Sequence, residues 1–160
     1  MRSFRYIFPS FKWEDAWLVN QIVNLPFVVG TTEMQFRNGV PPEEVHSSIE
    51  AIRRWIQSSM DGCTCLILFV GEETYKSDWV AYELELARKR GIGRIIVYLD
   101  GMKRRDGSIC RRGPDPYASR GMYTPNSPNA YIIKQYSWLQ NDGINNIGKW
   151  IEDACQRAGK

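Results

Sequence analysis

"CTCLILFVGEETYKSDWVAYELELARKRGIGRIIVYLD", residues 63–100, decides the fold. Its first eight residues, Cys63 to Val70, are apolar almost throughout. That is the pattern of a strand covered on both faces in a parallel sheet, because a strand with one wet face alternates. A short polar loop, Gly71 to Lys76, leads to Ser77, which is placed to cap a helix. The helix ends at Gly91, a residue free to take the left-handed turn that closes many helices. "RIIVYLD", 94–100, is a second strand as apolar as the first. Strand, helix and strand in this order form one crossover unit of a parallel α/β sheet.

Working outward, "FRYIF" at 4–8 reads as the first strand, ended by Pro9. "WEDAWLVNQIVNL", 13–25, has helical spacing in Trp13, Trp17, Val19, Ile22 and Val23, and Pro26 stops it. "FVVG", 27–30, is a short second strand. Residues 31–42 carry Asn38-Gly39 and two prolines and read as a loop. A second helix starts near Pro42, with an apolar stripe of Val45, Ile49, Ile52, Trp55 and Ile56. Residues 101–130, rich in Gly, Pro, Arg and Ser, show no clear element. "YIIKQYSWL", 131–139, reads as an edge strand and "INNIGKWIEDACQRA", 144–158, as a closing helix. The alternation predicts an α/β chain, a flavodoxin-like three-layer α/β/α sandwich around a central parallel sheet of order 2-1-3-4-5. Such a fold binds ligands beyond the carboxyl ends of strands one and three. Here those ends are the loops 8–12 and 71–77.

The 160 residues are 43% hydrophobic and 24% charged, an ordinary globular balance and one domain's length. A net charge of +3 is too mild to indicate a nucleic acid or an anionic membrane. No run is long enough to span a bilayer and no signal peptide is evident, so a cytoplasmic protein is expected. Cys63, Cys65, Cys110 and Cys155 lack metal-ligand spacing, so no metal site is expected. His46 is the only histidine and has nothing at triad spacing. No G-x-G-x-x-G or Walker A motif occurs. "KRRDGSICRR", 103–112, holds five basic residues in ten and reads as a solvated turn around Asp106-Gly107. No aromatic is interleaved there, which argues against specific nucleic-acid binding.

One residue breaks the pattern of the central helix. With Trp79 at zero on a helical wheel, Leu86 lies at ~340°, Glu83 at ~40°, Ala87 at ~80° and Val80 at ~100°, while Glu85 falls at ~240°. Glu85 is a solvated charge beside Lys89. Glu83 lies within the apolar face, one turn after Trp79. An apolar setting costs a lone carboxylate several kcal/mol unless it is paired or protonated. Either Glu83 sits at the edge of the stripe bonded to a base such as Arg90, or it is a perturbed carboxyl of the kind active sites use.

At these residues the chain resembles a family. "LILFVGEETYKSDWVAYELELARKRG" is similar to the segment of TIR-like domains that reads V-L-I-G-x-x-T-x-x-S-x-W-V-x-x-E. Gly71, Thr74, Ser77, Trp79, Val80 and Glu83 match in type and spacing. "IEAIRRWI", 49–56, resembles the preceding helix, and "EDAWLVNQIVN", 14–24, the first helix, with Asp15, Trp17, Asn20 and Gln21 in register. The resemblance runs over about residues 4–117 and makes the whole chain, 1–160, a single TIR-like domain. After the first strand the family has F-I-S-F or F-I-S-Y. This chain has "YIFPSFK", and either Ser10-Phe11, displaced by one residue, or Phe8 fills that place.

The resemblance reaches in particular to TIR proteins of bacterial Thoeris antiphage defence. It implies cleavage of NAD+ at the nicotinamide–ribose bond and release or cyclisation of ADP-ribose as a messenger. NAD+ would be a substrate, and no separate cofactor is expected. Glu83 is the implied catalytic residue. Phe8, Ser10, Phe11, Lys12, Ser77 and Trp79 are the expected substrate-binding residues. Self-association and a separate effector protein that answers the nucleotide product are the expected partners. The alternative from another class is a non-catalytic assembly module. A phosphoacceptor receiver is disfavoured, since the first and third strands end in Phe8-Pro9 and Val70-Gly71 and not in acids.

Overall fold

The structure, a computed structural model, describes residues 3–122 and 133–160. In chain order the elements are β1 (Ser3–Ser10), α1 (Ala16–Val23), β2 (Phe27–Val29), β3 (Thr32–Phe36), α2 (Ile49–Met60), β4 (Cys63–Val70), α3 (Asp78–Arg90), β5 (Gly93–Tyr98), α4 (Pro116–Ser119), β6 (Lys134–Ser137) and α5 (Gly143–Arg157). The sheet order is β2-β3-β1-β4-β5-β6. Every pairing is parallel except that of β2 with β3. The five parallel strands give the expected order, with β3 in the second strand's place.

The sheet divides two cores, and the period of two along each strand assigns side chains to them. Cys65, Ile67 and Phe69 of β4 join Ile95 and Val97 of β5 in the core beneath α1 and α5. Leu66, Leu68 and Val70, with Ile96 and Tyr98, fill the core beneath α2 and α3. These two strands are buried at every position but one, Thr64. Their continuous apolar character in the sequence follows directly.

Four expectations are corrected. Residues 31–42 do not form a loop throughout: Thr32–Phe36 pair with β1 as the parallel neighbour, and 27–29 lie outside them as an antiparallel edge. Pro9 does not end β1, which continues to Ser10 opposite Leu68. The Ile7 carbonyl accepts from Arg37 on the β3 side. Pro9, two residues on, turns its nitrogen the same way, past the last β1–β3 pair at Ile7 and Phe36. The missing N–H therefore costs no ladder bond. Near Pro42 there is only a 3-10 turn, Glu43–Val45, and α2 starts after Ser48, whose hydroxyl accepts from the Ala51 N–H. Of the predicted stripes, Ile49 is 62% and Trp17 45% exposed, while Ile52, Ile56 and Leu18, Val19, Ile22 carry the burial. The edge strand predicted at 131–139 is found at Lys134–Ser137, and residues 131 and 132 lie outside the described residues.

The caps of α3 are as predicted. The Ser77 hydroxyl accepts from the Val80 N–H at 3.2 Å, and Gly91 closes the helix at φ 65°. The segment after β5 folds back over the carboxyl edge of the sheet. Lys103 and Ile109 bridge across a turn at Asp106-Gly107, and Arg104 reaches Asp15 at 3.0 Å. No helix among the described residues is long and apolar enough to cross a membrane.

Candidate active site

Helix α3 starts at the carboxyl end of β4 and lies against the sheet through Val80, Leu84 and Ala87. Glu83 shares that buried face and is 1% exposed. The buried arc runs from Glu83 through Ala87 and Val80 to Leu84, so it is rotated away from Trp79 and Leu86, which are only half-buried. Arg90, one alternative partner, pairs with Asp61 at 3.0 Å. Glu85 is the solvated glutamate, held by Arg88 at 2.9 Å.

Glu83 is met from the sheet. The Ser10 hydroxyl donates to its Oε1 at 3.1 Å. Ser10 is itself 0% exposed, at the last residue of β1. Among the described residues no cation pairs with the carboxyl. Burial therefore dominates and pushes its pKa well above the usual carboxylate range, while the Ser10 bond pulls it down. The fold thus favours the neutral form of this carboxyl over the ionised one.

The other expected residues surround this pair unevenly. Trp79 stands one turn before Glu83, half-buried, with its ring edge-to-face on Tyr82 at 6.1 Å. Phe8 is fully buried in the α2–α3 core. Phe11 packs in the opposite core beneath α1. The structure thus brings Ser10, not Phe11, to the glutamate. Lys12 pairs with Glu73 at 3.3 Å, and the same carboxylate holds Lys76 at 3.2 Å. The Ser77 hydroxyl is engaged in capping α3. Asp78, in the first turn of α3, pairs with Arg120 at 3.1 Å.

A family model described as Thoeris protein ThsB, TIR-like domain, matches residues 8–104, more than half of the chain. The chain belongs to the ThsB TIR-like family. The match takes in the end of β1, Trp79 and Glu83. A relative from Bacillus cereus (strain MSX-D12), named "Putative cyclic ADP-D-ribose synthase ThsB1", is 24% identical over 103 residues, which cover 64% of this chain and 48% of the relative. The chain therefore spans about half the length of that relative. Two crystal structures of SsGBP mutation variants are similar at TM-scores of 0.45 and 0.43 and 14% identity, covering 98% and 99% of this chain and 56% and 57% of theirs. A likeness of that size bears on neither fold nor function.

In this TIR-like domain the carboxyl edge of the sheet carries a second assembly that sequence spacing does not reveal. Asp15, 6% exposed, lies against Gly71, where a β-carbon would collide with its carboxylate. Arg104 pairs with Asp15, and the Arg111 N–H donates to Glu72 at 2.8 Å. Arg112 covers the Tyr98 ring at 3.8 Å. Two side chains of the basic run at 103–112, those of Arg104 and Arg112, thus pin this segment to the carboxyl edge of the sheet. The one prior signal was Asp15, which stands in register in the family's first helix. His46 Nε2 donates to the Pro41 carbonyl at 2.8 Å and its ring stacks on Trp13, a satisfied polar residue.

Proposed function

We propose that the domain is a TIR-type NAD+ glycohydrolase or ADP-ribosyl cyclase that makes an ADP-ribose-derived messenger in antiphage immunity. One observation carries the reading: a buried carboxyl at Glu83, with no cation paired to it among the described residues, in the W-x-x-x-E position, at the carboxyl edge of a parallel sheet. The family and the name of the Bacillus cereus relative support it.

The chemistry suits such a group. Nicotinamide bound to ribose is a cation, and its approach favours ionisation of a carboxyl that burial keeps protonated. As the C–N bond breaks, the electron pair goes to nicotinamide, which leaves neutral and needs no general acid. Positive charge moves to the anomeric carbon, and the Glu83 carboxylate stabilises it or forms a transient ester. Water, or a nucleophile of the ADP-ribose itself, then takes the anomeric carbon and gives up a proton. Trp79 is the half-buried aromatic placed to stack on a flat ring. The same reading takes NAD+ as substrate with no added cofactor, self-association, and a separate effector protein as partners.

Glu83→Gln keeps the shape and removes the charge. Nicotinamide release should fall on the order of 10³-fold, as when a group that stabilises transition-state charge is lost. The assay incubates protein with NAD+, with and without phage-infected lysate, and identifies products by mass spectrometry. Equal NAD+ consumption by the variant would sink the proposal. No turnover by the wild type under either condition would favour the assembly module.

A further inference from the structure

The resemblance places Ser10 among substrate contacts, but its hydroxyl is turned into the protein. It is fully buried and spends its hydrogen bond on Glu83 Oε1 at 3.1 Å. Both ends of this bond are anchored. Ser10 is held in the ladder opposite Leu68 of β4. Glu83 rides on α3, whose start is fixed by the Ser77 cap. Among the described residues Oε2 carries no hydrogen bond.

Charged groups on the surrounding elements are engaged elsewhere. Lys12 after β1 and Lys76 before α3 face Glu73, and Arg53 of α2 pairs with Glu50. On α3 itself Arg88 pairs with Glu85 and Arg90 with Asp61. Beyond β5, Arg120 pairs with Asp78, and within β5 Arg94 acts on Tyr117 of α4. Ser10 is thus the polar group that addresses this carboxyl from the protein side.

We infer that Ser10 is a positioning residue for Glu83: it fixes Oε1, so that Oε2 is presented to the anomeric carbon, and it supplies the donor that the ionised carboxylate needs inside an apolar wall. A substrate-binding residue would lower KM by its presence. A positioning residue acts on the charge and direction of its neighbour, so its loss falls on kcat and on the pH profile. The inference rests on the NAD+-cleaving reading, and the two are separated by measuring the pair without substrate as well as with it.

The first measurement is a carboxyl NMR titration of Glu83 in the wild type and in Ser10→Ala, without NAD+. Removing a donor to the charged form should raise the Glu83 midpoint by about one pH unit or more. The second is steady-state cleavage of NAD+ across pH. In Ser10→Ala, kcat should fall ~10-fold or more at neutral pH with KM nearly unchanged, the loss of one hydrogen bond to a charged group. The acid limb of kcat/KM should move to higher pH with the NMR midpoint. Ser10→Thr, which keeps the hydroxyl, should restore both readouts, and Ser10→Val, of similar shape, should not; this pair decides the matter if the alanine variant unfolds. An unmoved Glu83 midpoint, or a raised KM with unchanged kcat, would overturn the role. If the midpoint shifts as stated but no protein consumes NAD+, the Ser10–Glu83 coupling stands and the substrate assignment falls.

Discussion

Glu83 carries a stability cost that pH can expose. In the unfolded chain a glutamate titrates near ~4.3. In the folded chain burial keeps it protonated to a much higher pH. Between those two values the native state binds more protons than the unfolded state, so stability falls as pH rises. The contribution is fully present below the unfolded pKa and is lost as pH climbs through the folded one. Glu83→Gln has no proton to lose. Its thermal midpoint should coincide with that of the wild type near pH 4 and exceed it increasingly towards pH 8. The gap there should correspond to on the order of 2 kcal/mol, the scale of a poorly compensated buried polar group. Melting curves of both proteins across pH check this, and parallel curves would show that the carboxyl is ionised and satisfied in the fold. That the residue proposed as catalytic weakens the fold fits the general exchange of stability for activity.

Helix α3 shows which parts of an element are legible in sequence. Ser77 and Gly91 marked both its ends because capping is local chemistry, settled within a few residues of chain. Gly91 adopts φ 65°, and a β-carbon built there meets no atom within 4 Å. Gly91→Ala should therefore cost about 1 kcal/mol, from backbone conformation alone. The midpoint of urea unfolding measures it. An unchanged midpoint would mean that the helix can end without the left-handed residue. Strand β3 was not legible for the opposite reason. "TEMQF" buries only Met34, and its strand character comes from pairing with β1, a partner more than twenty residues away. Tertiary pairing of this kind overrides weak local preference. The outward turn of Ile49 and Trp17 has the same source: periodicity finds a stripe, while the sheet beneath decides how it is rotated.

For the whole molecule, the three layers were legible because β4 and β5 are apolar on both faces, and only a covered sheet wants such strands. Glu83 was legible from its own helix. The Ser10 partnership was not, since its side chain could be assigned to the α3 face only once the course of β1 beyond Pro9 was known. Nor was the Asp15–Arg104 pair, which joins segments 89 residues apart. The same two-sided burial sets the behaviour of the thiols. All four cysteines are free and buried, Cys65 and Cys155 completely. The neighbouring Cys65 thiol holds the Cys155 pKa below its ordinary value, which in an exposed cysteine would mean fast reaction at neutral pH. Here a reagent must wait for α5 to lift from the sheet, and in the opened state Cys155 leaves the Cys65 thiol behind. Ellman's reagent should therefore find no fast thiol in the native protein and four in denaturant. The slow native reaction should follow an ordinary thiol pKa near ~8.5. A rapid native phase with a lower midpoint would show that Cys155 is reached without opening, and that α5 is less firmly docked than its packing on β5 implies.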